Sequence, residues 1–159
     1  MRITSSDFEE GNGIPKKFSC EGDDISPALR FEGVPAAAKS LALIVHDPDA
    51  PRREGFTHWL LYNMPPSVKE IPQNVPKNEE RVPRLGVQGR NDAGKLGYMG
   101  PCPPSGSHSY FFRLYALKTE LPLEPSATTQ ELKAAMQSHI IEQAEVMGTY
   151  AKSKAQGAR

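Results

Sequence analysis

Four side chains in this sequence could, if brought together, hold an anion: Asp47, His58, His108 and Tyr110. Two imidazoles and a phenol can each donate a hydrogen bond to an oxyanion, and a carboxylate can orient an imidazole or accept from a ligand amine. A carboxylate beside a histidine also favours the imidazolium. The same region admits other chemistry. Ser105 or Ser107 with His108 and Asp47 supplies the residue types of a hydrolase, and Cys102 offers a thiol. Against catalysis, no nucleophile elbow is present and Ser107 is adjacent to His108 in sequence instead of arriving from a separate element. Cys102 lies between prolines, with no helix N-terminus to lower its pKa. Asp47, Asp49, His58 and His108 are zinc-ligand types without the short paired spacing of zinc sites, so no metal or other cofactor is expected. Singly, each of these residues is ordinary, since Asp-Pro often stops a strand and a lone strand histidine is usually structural.

The elements that must position these groups are strands. Ser40 to Asp47 is apolar on both faces and reads as a central strand, halted by Asp47-Pro-Asp-Ala-Pro51. Thr57 to Met64 alternates, with His58, Leu60, Tyr62 and Met64 on one face, and Pro65-Pro66 closes it. If these two strands run antiparallel, Asp47 and His58 reach the same end of a sheet. Tyr98 to Phe112 opens as a stiff loop, because Pro101, Pro103 and Pro104 have fixed φ and no N–H. It then becomes the start of a strand, Tyr110 to Lys118, with His108 and Tyr110 at its mouth. A third strand directed like the second would bring that mouth to the same end. His46 points to the opposite face from Asp47 by parity and reads as structural.

Elsewhere Ile3 to Phe8 and Leu29 to Phe31 are weak strands, and Pro72 to Ser109 shows no periodic segment, the signature of a functional loop. Thr128-Thr129-Gln130-Glu131 is a capping box. Leu132, Ala135, Met136, Ile140, Ala144 and Met147 follow at helical spacing towards Gly148, with a break expected near His139. One domain is expected over 1–150, with 151–159 a fraying basic tail.

Composition narrows the function classes. Nineteen basic residues balance nineteen acidic ones among 159, so no general nucleic-acid binder is expected. No apolar run is long enough for a membrane span, and the first twenty residues lack a signal-peptide core. A cytoplasmic location is therefore expected, with Cys20 and Cys102 as reduced thiols. Whether the two approach each other is not decided by the sequence. Fifteen prolines and thirteen glycines suit short strands and ordered loops.

Taken in order, Asp47-Pro-Asp-Ala-Pro51, His58-Trp59, Gly100-Pro-Cys-Pro-Pro104, Gly106-x-His108-x-Tyr110 and Leu114-Tyr-Ala-Leu117 resemble the phosphatidylethanolamine-binding protein family. The likeness is to its short prokaryotic, Raf-kinase-inhibitor-like branch and covers nearly the whole chain. It implies a mainly β fold, with a large antiparallel sheet, a smaller sheet packed on it and peripheral C-terminal helices. It also implies a non-enzymatic anion pocket for phosphate, acetate or a phosphorylethanolamine head. The matching positions are Asp47, Asp49, Ala50, Pro51, His58, Pro103, Pro104, His108 and Tyr110, with Gly100 and Cys102 in the loop behind them. Ser109 departs from the family, which often carries arginine there. A protein partner such as a kinase is known of relatives, and a homodimer is the default assembly.

Overall fold

The computed structural model describes residues 1–153; the expected tail lies, beyond Ser153, outside the described residues. Its strands are β1 (Arg2–Thr4), β2 (Leu29–Glu32), β3 (Ser40–Asp47), β4 (Phe56–Met64), β5 (Glu70–Ile71), β6 (Arg81–Val82), β7 (Gly86–Gln88), β8 (Ser107–Leu117) and β9 (Ile140–Ala151), with α1 (Thr129–Met136) before β9. A six-stranded sheet runs in the order β6-β7-β4-β3-β8-β9 and a three-stranded one in the order β1-β2-β5. Every pairing between these strands is antiparallel. The mainly β architecture of one large and one small sheet is the expected one.

β3 is central and buried on both faces, as its continuous apolar sequence requires. Leu41, Leu43 and Val45 pack with Trp59, Leu61, Phe112 and Leu114 against Ile3, Leu29, Phe31 and Ile71 from the small sheet. Ala42 and Ile44 face the other way, with Leu60 and Tyr62, under Leu132 and Met136 of α1. Each large side chain so buried contributes about 1.5–3 kcal/mol relative to exposure. Strict alternation fails at the end of β4. Asn63 adopts φ 53° at a register shift between Leu41 and Leu43, which sends Met64 to the Trp59 side, away from Leu60.

The long stretch from Pro72 to Ser109 is ordered by two buried amides; among the described residues it holds β6, β7 and, from Ser107, the start of β8. Gln88 accepts from Trp59 Nε1 at 2.8 Å and donates to the carbonyls of Pro76 and Glu79. Asn91 Oδ1 accepts from the amides of Ala93 and Lys95, while its Nδ2 donates to Gly97 O. These side chains take the place of a ladder in satisfying buried backbone groups.

The C-terminal region departs from the sequence expectation. The capping box forms, with Thr128 Oγ1 accepting from Glu131 N, but the helix ends at Met136 and Ile140–Ala151 is a strand. There is one C-terminal helix where two were expected. β8 would otherwise be an edge, and β9 pairs along its whole length, from Ser107↔Ala151 to Leu117↔Ile140. The segment carries both periods: its helical spacing coexists with Val146, Gly148 and Tyr150 buried at every second position. Non-local pairing and the β-branched Ile140, Ile141, Val146 and Thr149 favour the strand. Gly148 is therefore a packing position inside β9, where a Cβ would fall 2.6 Å from Ile14 Cγ1 and 2.9 Å from the Phe8 ring. Both neighbours are buried and cannot yield. Gly148→Ala is expected to lower stability by about 1–3 kcal/mol, read from the urea midpoint, with no change in helix content by circular dichroism.

Candidate functional site

β3 lies between β4 and β8 and is antiparallel to both. Its C-terminal end therefore meets the N-terminal ends of β4 and β8, which gathers Asp47, His58, His108 and Tyr110 at one edge of the large sheet. Direction alone would not suffice, because alternation puts His58 on the face of Leu60, opposite Asp47. A register shift corrects this: Val45 pairs with Trp59 but His46 with Thr57, so His58 is the extra residue of a β-bulge. The bulge turns the imidazole towards the other three. It stands edge-on to Tyr110, with ring centroids 5.3 Å apart, and to Phe56 at 5.0 Å. His46 stays on the far face, its Nδ1 3.2 Å from Thr57 Oγ1.

Asp47 is the anchor. It is 2% exposed. Its Oδ1 accepts from Asp49 N at 2.8 Å and its Oδ2 from His108 Nδ1–H at 2.7 Å. Because a carboxylate only accepts, His108 carries a proton on Nδ1 and Nε2 is the nitrogen left for a ligand. Asp49 is exposed and accepts from Ser109 N at 2.8 Å. It braces the loop after β3 against the start of β8 and does not line the cavity.

His58 donates from Nδ1 to Met99 O at 2.6 Å, and Met99 N returns a bond to His58 O at 3.0 Å. Burial pushes the His58 pKa below its ordinary value, against the smaller upward pulls of the Met99 carbonyl and the Asp47 charge. The ring is thus neutral near pH 7, with Nε2 as an acceptor. Burial pushes the Tyr110 hydroxyl far up, and the negative charge of Asp47 adds to this, so the phenol stays protonated. Asp47 and the Cys102 backbone lie near enough to affect its acidity, yet no group among the described residues meets it in hydrogen-bonding geometry. A buried donor left unmatched costs about 1–3 kcal/mol.

These groups line a cavity of about 260 Å³. Its walls are the apolar surfaces of Ala50, Pro51, Phe56, Met99, Pro103 and Pro104, with Cys102 beside them. Of the expected positions, Asp49 and Gly100 stand outside. Gly100 N donates to Asp24 Oδ1 at 2.7 Å, and a Cβ there would fall 2.2 Å from Phe18 O. Its role is to let the loop press against the N-terminal segment. Three lining residues were not foreseen: Arg52, Phe56 and Met99. Arg52 directly follows the Asp-Pro-Asp-Ala-Pro run and was open to notice. Phe56 and Met99 depend on the bulge and on a main-chain contact, which leave no mark in residue types. The Arg52 guanidinium lies 5.2 Å from the Phe56 ring centroid and 3.6 Å from Asp92, half exposed. Among the described residues no three His, Cys, Asp or Glu side chains cluster as metal ligands.

The expectation of reduced thiols is overturned. Cys20 and Cys102 form a disulfide, with Cα atoms 5.4 Å apart across 82 residues of sequence. Cys20 N donates to Pro101 O at 3.1 Å, which lays the two segments side by side. Reduced cysteines therefore no longer support a cytoplasmic location. No helix among the described residues is long and apolar enough to cross a membrane.

The two displaced histidines set a pH dependence. Burial lowers the pKa of His58 and, to first order, of His46 in the fold. The unfolded chain then binds more protons just below about pH 6.5, so stability rises with pH there. The contribution is complete above that value and is lost on acidification below it. Urea midpoints measured from pH 7.5 to 5 should fall, and a His58→Gln variant should show a shallower decline.

The chain matches the family model described as phosphatidylethanolamine-binding protein over residues 4–151. A UPF0098 protein of Methanothermobacter thermautotrophicus is 49% identical over 150 residues, covering 94% of this chain and 98% of that protein. One from Chlamydia muridarum is 47% identical over 154 residues, covering 94% and 98%. Among solved structures, a putative family homologue from Chlamydia trachomatis superposes with a TM-score of 0.84 at 44% identity, over 96% of this chain and 97% of that one. E. coli YbcL, described as a new member of the mammalian family, gives 0.87 at 33% identity, over 96% and 98%. With the fold and a model match spanning nearly all described residues, this chain belongs to the phosphatidylethanolamine-binding protein family.

Proposed function

We propose that this protein is a non-enzymatic receptor for a small anion of phosphate type, such as a phosphorylethanolamine-like head group. One observation carries the reading: a buried tyrosine hydroxyl with no hydrogen-bond partner among the described residues lines the same cavity as a histidine whose other nitrogen is taken by Asp47. A ligand oxygen would satisfy the hydroxyl and receive from His108 Nε2 when that ring is cationic. His58 Nε2 would accept from a protonated ligand oxygen or an amine. The cavity is below the roughly 300–1,000 Å³ of drug-sized sites, so it suits a head group and not a whole lipid.

Calorimetric titration with inorganic phosphate and with phosphorylethanolamine tests this. The parent should bind saturably, and His58→Ala and His108→Ala should each weaken binding about tenfold or more. If both variants bind like the parent, the reading is wrong. Arg52 gives the rim a fixed positive charge. Arg52→Ala should weaken phosphate binding roughly 2- to 5-fold, an effect shrinking with added salt, while leaving the melting temperature unchanged. Relay to a protein partner, with a kinase as the class suggested by the family, and assembly as a homodimer extend the same reading. Native mass spectrometry with and without phosphorylethanolamine would test the assembly.

The hydrolase alternative has one observation in its favour, the Asp47–His108 pair with Nε2 free for base chemistry. It wants a nucleophile, because Cys102 is bonded to Cys20 and both Ser105 and Ser107 are exposed. Turnover of an activated ester that vanished on substitution of Ser105, Ser107 or Cys102 would establish it over the receptor.

A further inference from the structure

We propose that the Cys20–Cys102 bridge is a thiol–disulfide exchange site whose redox state is coupled to occupancy of the anion pocket. The coupling rests on the receptor reading above; the exchange site does not. The bridge has two different ends. Cys20 is exposed, whereas Cys102 is partly buried and lines the cavity with His108 and Tyr110. The joined segments do not depend on the bridge for their placement. Cys20 N bonds Pro101 O at 3.1 Å, Gly100 N bonds Asp24 Oδ1 at 2.7 Å, and Tyr98 hydroxyl bonds Phe18 O at 2.7 Å. Opening the bridge therefore leaves the wall in place, as a reversible site requires.

The co-reactant is a dithiol. Its thiolate attacks the sulfur of Cys20, the more exposed of the two cysteines, forms a mixed disulfide with it, and expels Cys102 as a thiolate carrying the electron pair. The second thiol of the reagent, as thiolate, then attacks the reagent's own sulfur in that mixed disulfide and releases Cys20. The dithiol closes to a cyclic disulfide, having given two electrons, and both cysteines can take up protons.

This chemistry delivers a thiolate to a wall of the anion pocket. Expulsion of that charge is opposed by an anion already bound, and an anion is repelled by the thiolate once formed. At equilibrium, the anion's effect on reduction and the effect of reduction on anion affinity are one coupling free energy and must be equal in size. The effect grows near pH 8.5, where an ordinary thiol is half ionised.

The test is run at about pH 8.5 in a phosphate-free buffer. Reduction by dithiothreitol, followed by alkylation and intact mass, is measured with and without saturating inorganic phosphate. Phosphate titrations are run on oxidised protein, reduced protein, Cys20→Ser, and the Cys20→Ser/Cys102→Ser double variant. Phosphate should slow reduction. The reduced protein and Cys20→Ser, each with a Cys102 thiol, should bind up to about 2-fold more weakly than the oxidised form, the limit when half the molecules carry the thiolate. The affinity of the double variant, whatever its value, should not change when reductant is added. Equal affinity for all forms with unaltered reduction overturns the coupling alone. No phosphate binding by any form overturns the receptor reading and the coupling together. Two free thiols in air-oxidised protein overturn the exchange site itself.

Discussion

Replacing Asp47 by alanine is expected to abolish detectable anion binding and to lower the melting temperature by roughly 10 °C. Asp47 is itself 2% exposed and both its carboxylate oxygens are occupied: one holds the Asp49 amide, the other the Nδ1 proton of His108. Alanine strands these donors and leaves His108 without the partner that fixes its tautomer and orientation. Removing one member of a buried pair typically costs about 3–5 kcal/mol, because the other stays desolvated. In a chain of this size each kcal/mol moves the transition by about 2–4 °C. Asp47→Asn keeps the volume and one acceptor, so it should lose less stability yet still bind poorly. Thermal denaturation alongside calorimetry decides the matter. A melting temperature unchanged in Asp47→Ala would show that the carboxylate does not hold the two strand ends together.

The second large effect has opposite signs for stability and binding. Tyr110→Phe removes a buried hydroxyl that has no hydrogen-bond partner among the described residues, while keeping the ring that packs against His58. The unliganded protein should gain about 1 kcal/mol, since a buried donor with no protein acceptor is unfavourable. Phosphate affinity should fall at least tenfold, because hydrogen bonds to charged groups are worth about 1.5–3 kcal/mol. A structural hydroxyl would behave otherwise, with stability falling and binding unmoved. The comparison separates an instability retained for ligand binding from an incidental one.

Residue types and their order made much of the site legible. The two prolines after Asp47 mark the end of β3, and three prolines with Gly100 mark the loop before β8 as rigid. Two antiparallel pairings then place Asp47, His58, His108 and Tyr110 at one edge. Face was harder to read than position along the sheet. The bulge that turns His58 towards Asp47 arises from how β4 fits β3, and no residue in Thr57-His58-Trp59 announces it. The misassigned second helix shows the same limit. Residues 140–147 fit both a helix and a strand, and the long unpaired edge of β8 selects the strand.

Asp47 and His108 thus illustrate what this sequence determined by itself: which groups could hold an anion, which strands carry them, and that the loop around Cys102 is stiff. Those features follow from side-chain chemistry and from local backbone restriction by proline and glycine, which act on a few neighbouring residues. The face of His58, the strand at Ile140–Ala151, the bond between Cys20 and Cys102, and the unmatched Tyr110 hydroxyl were decided only by the tertiary structure. Each depends on contacts between segments far apart in the chain, where pairing register and shared burial outweigh local preference.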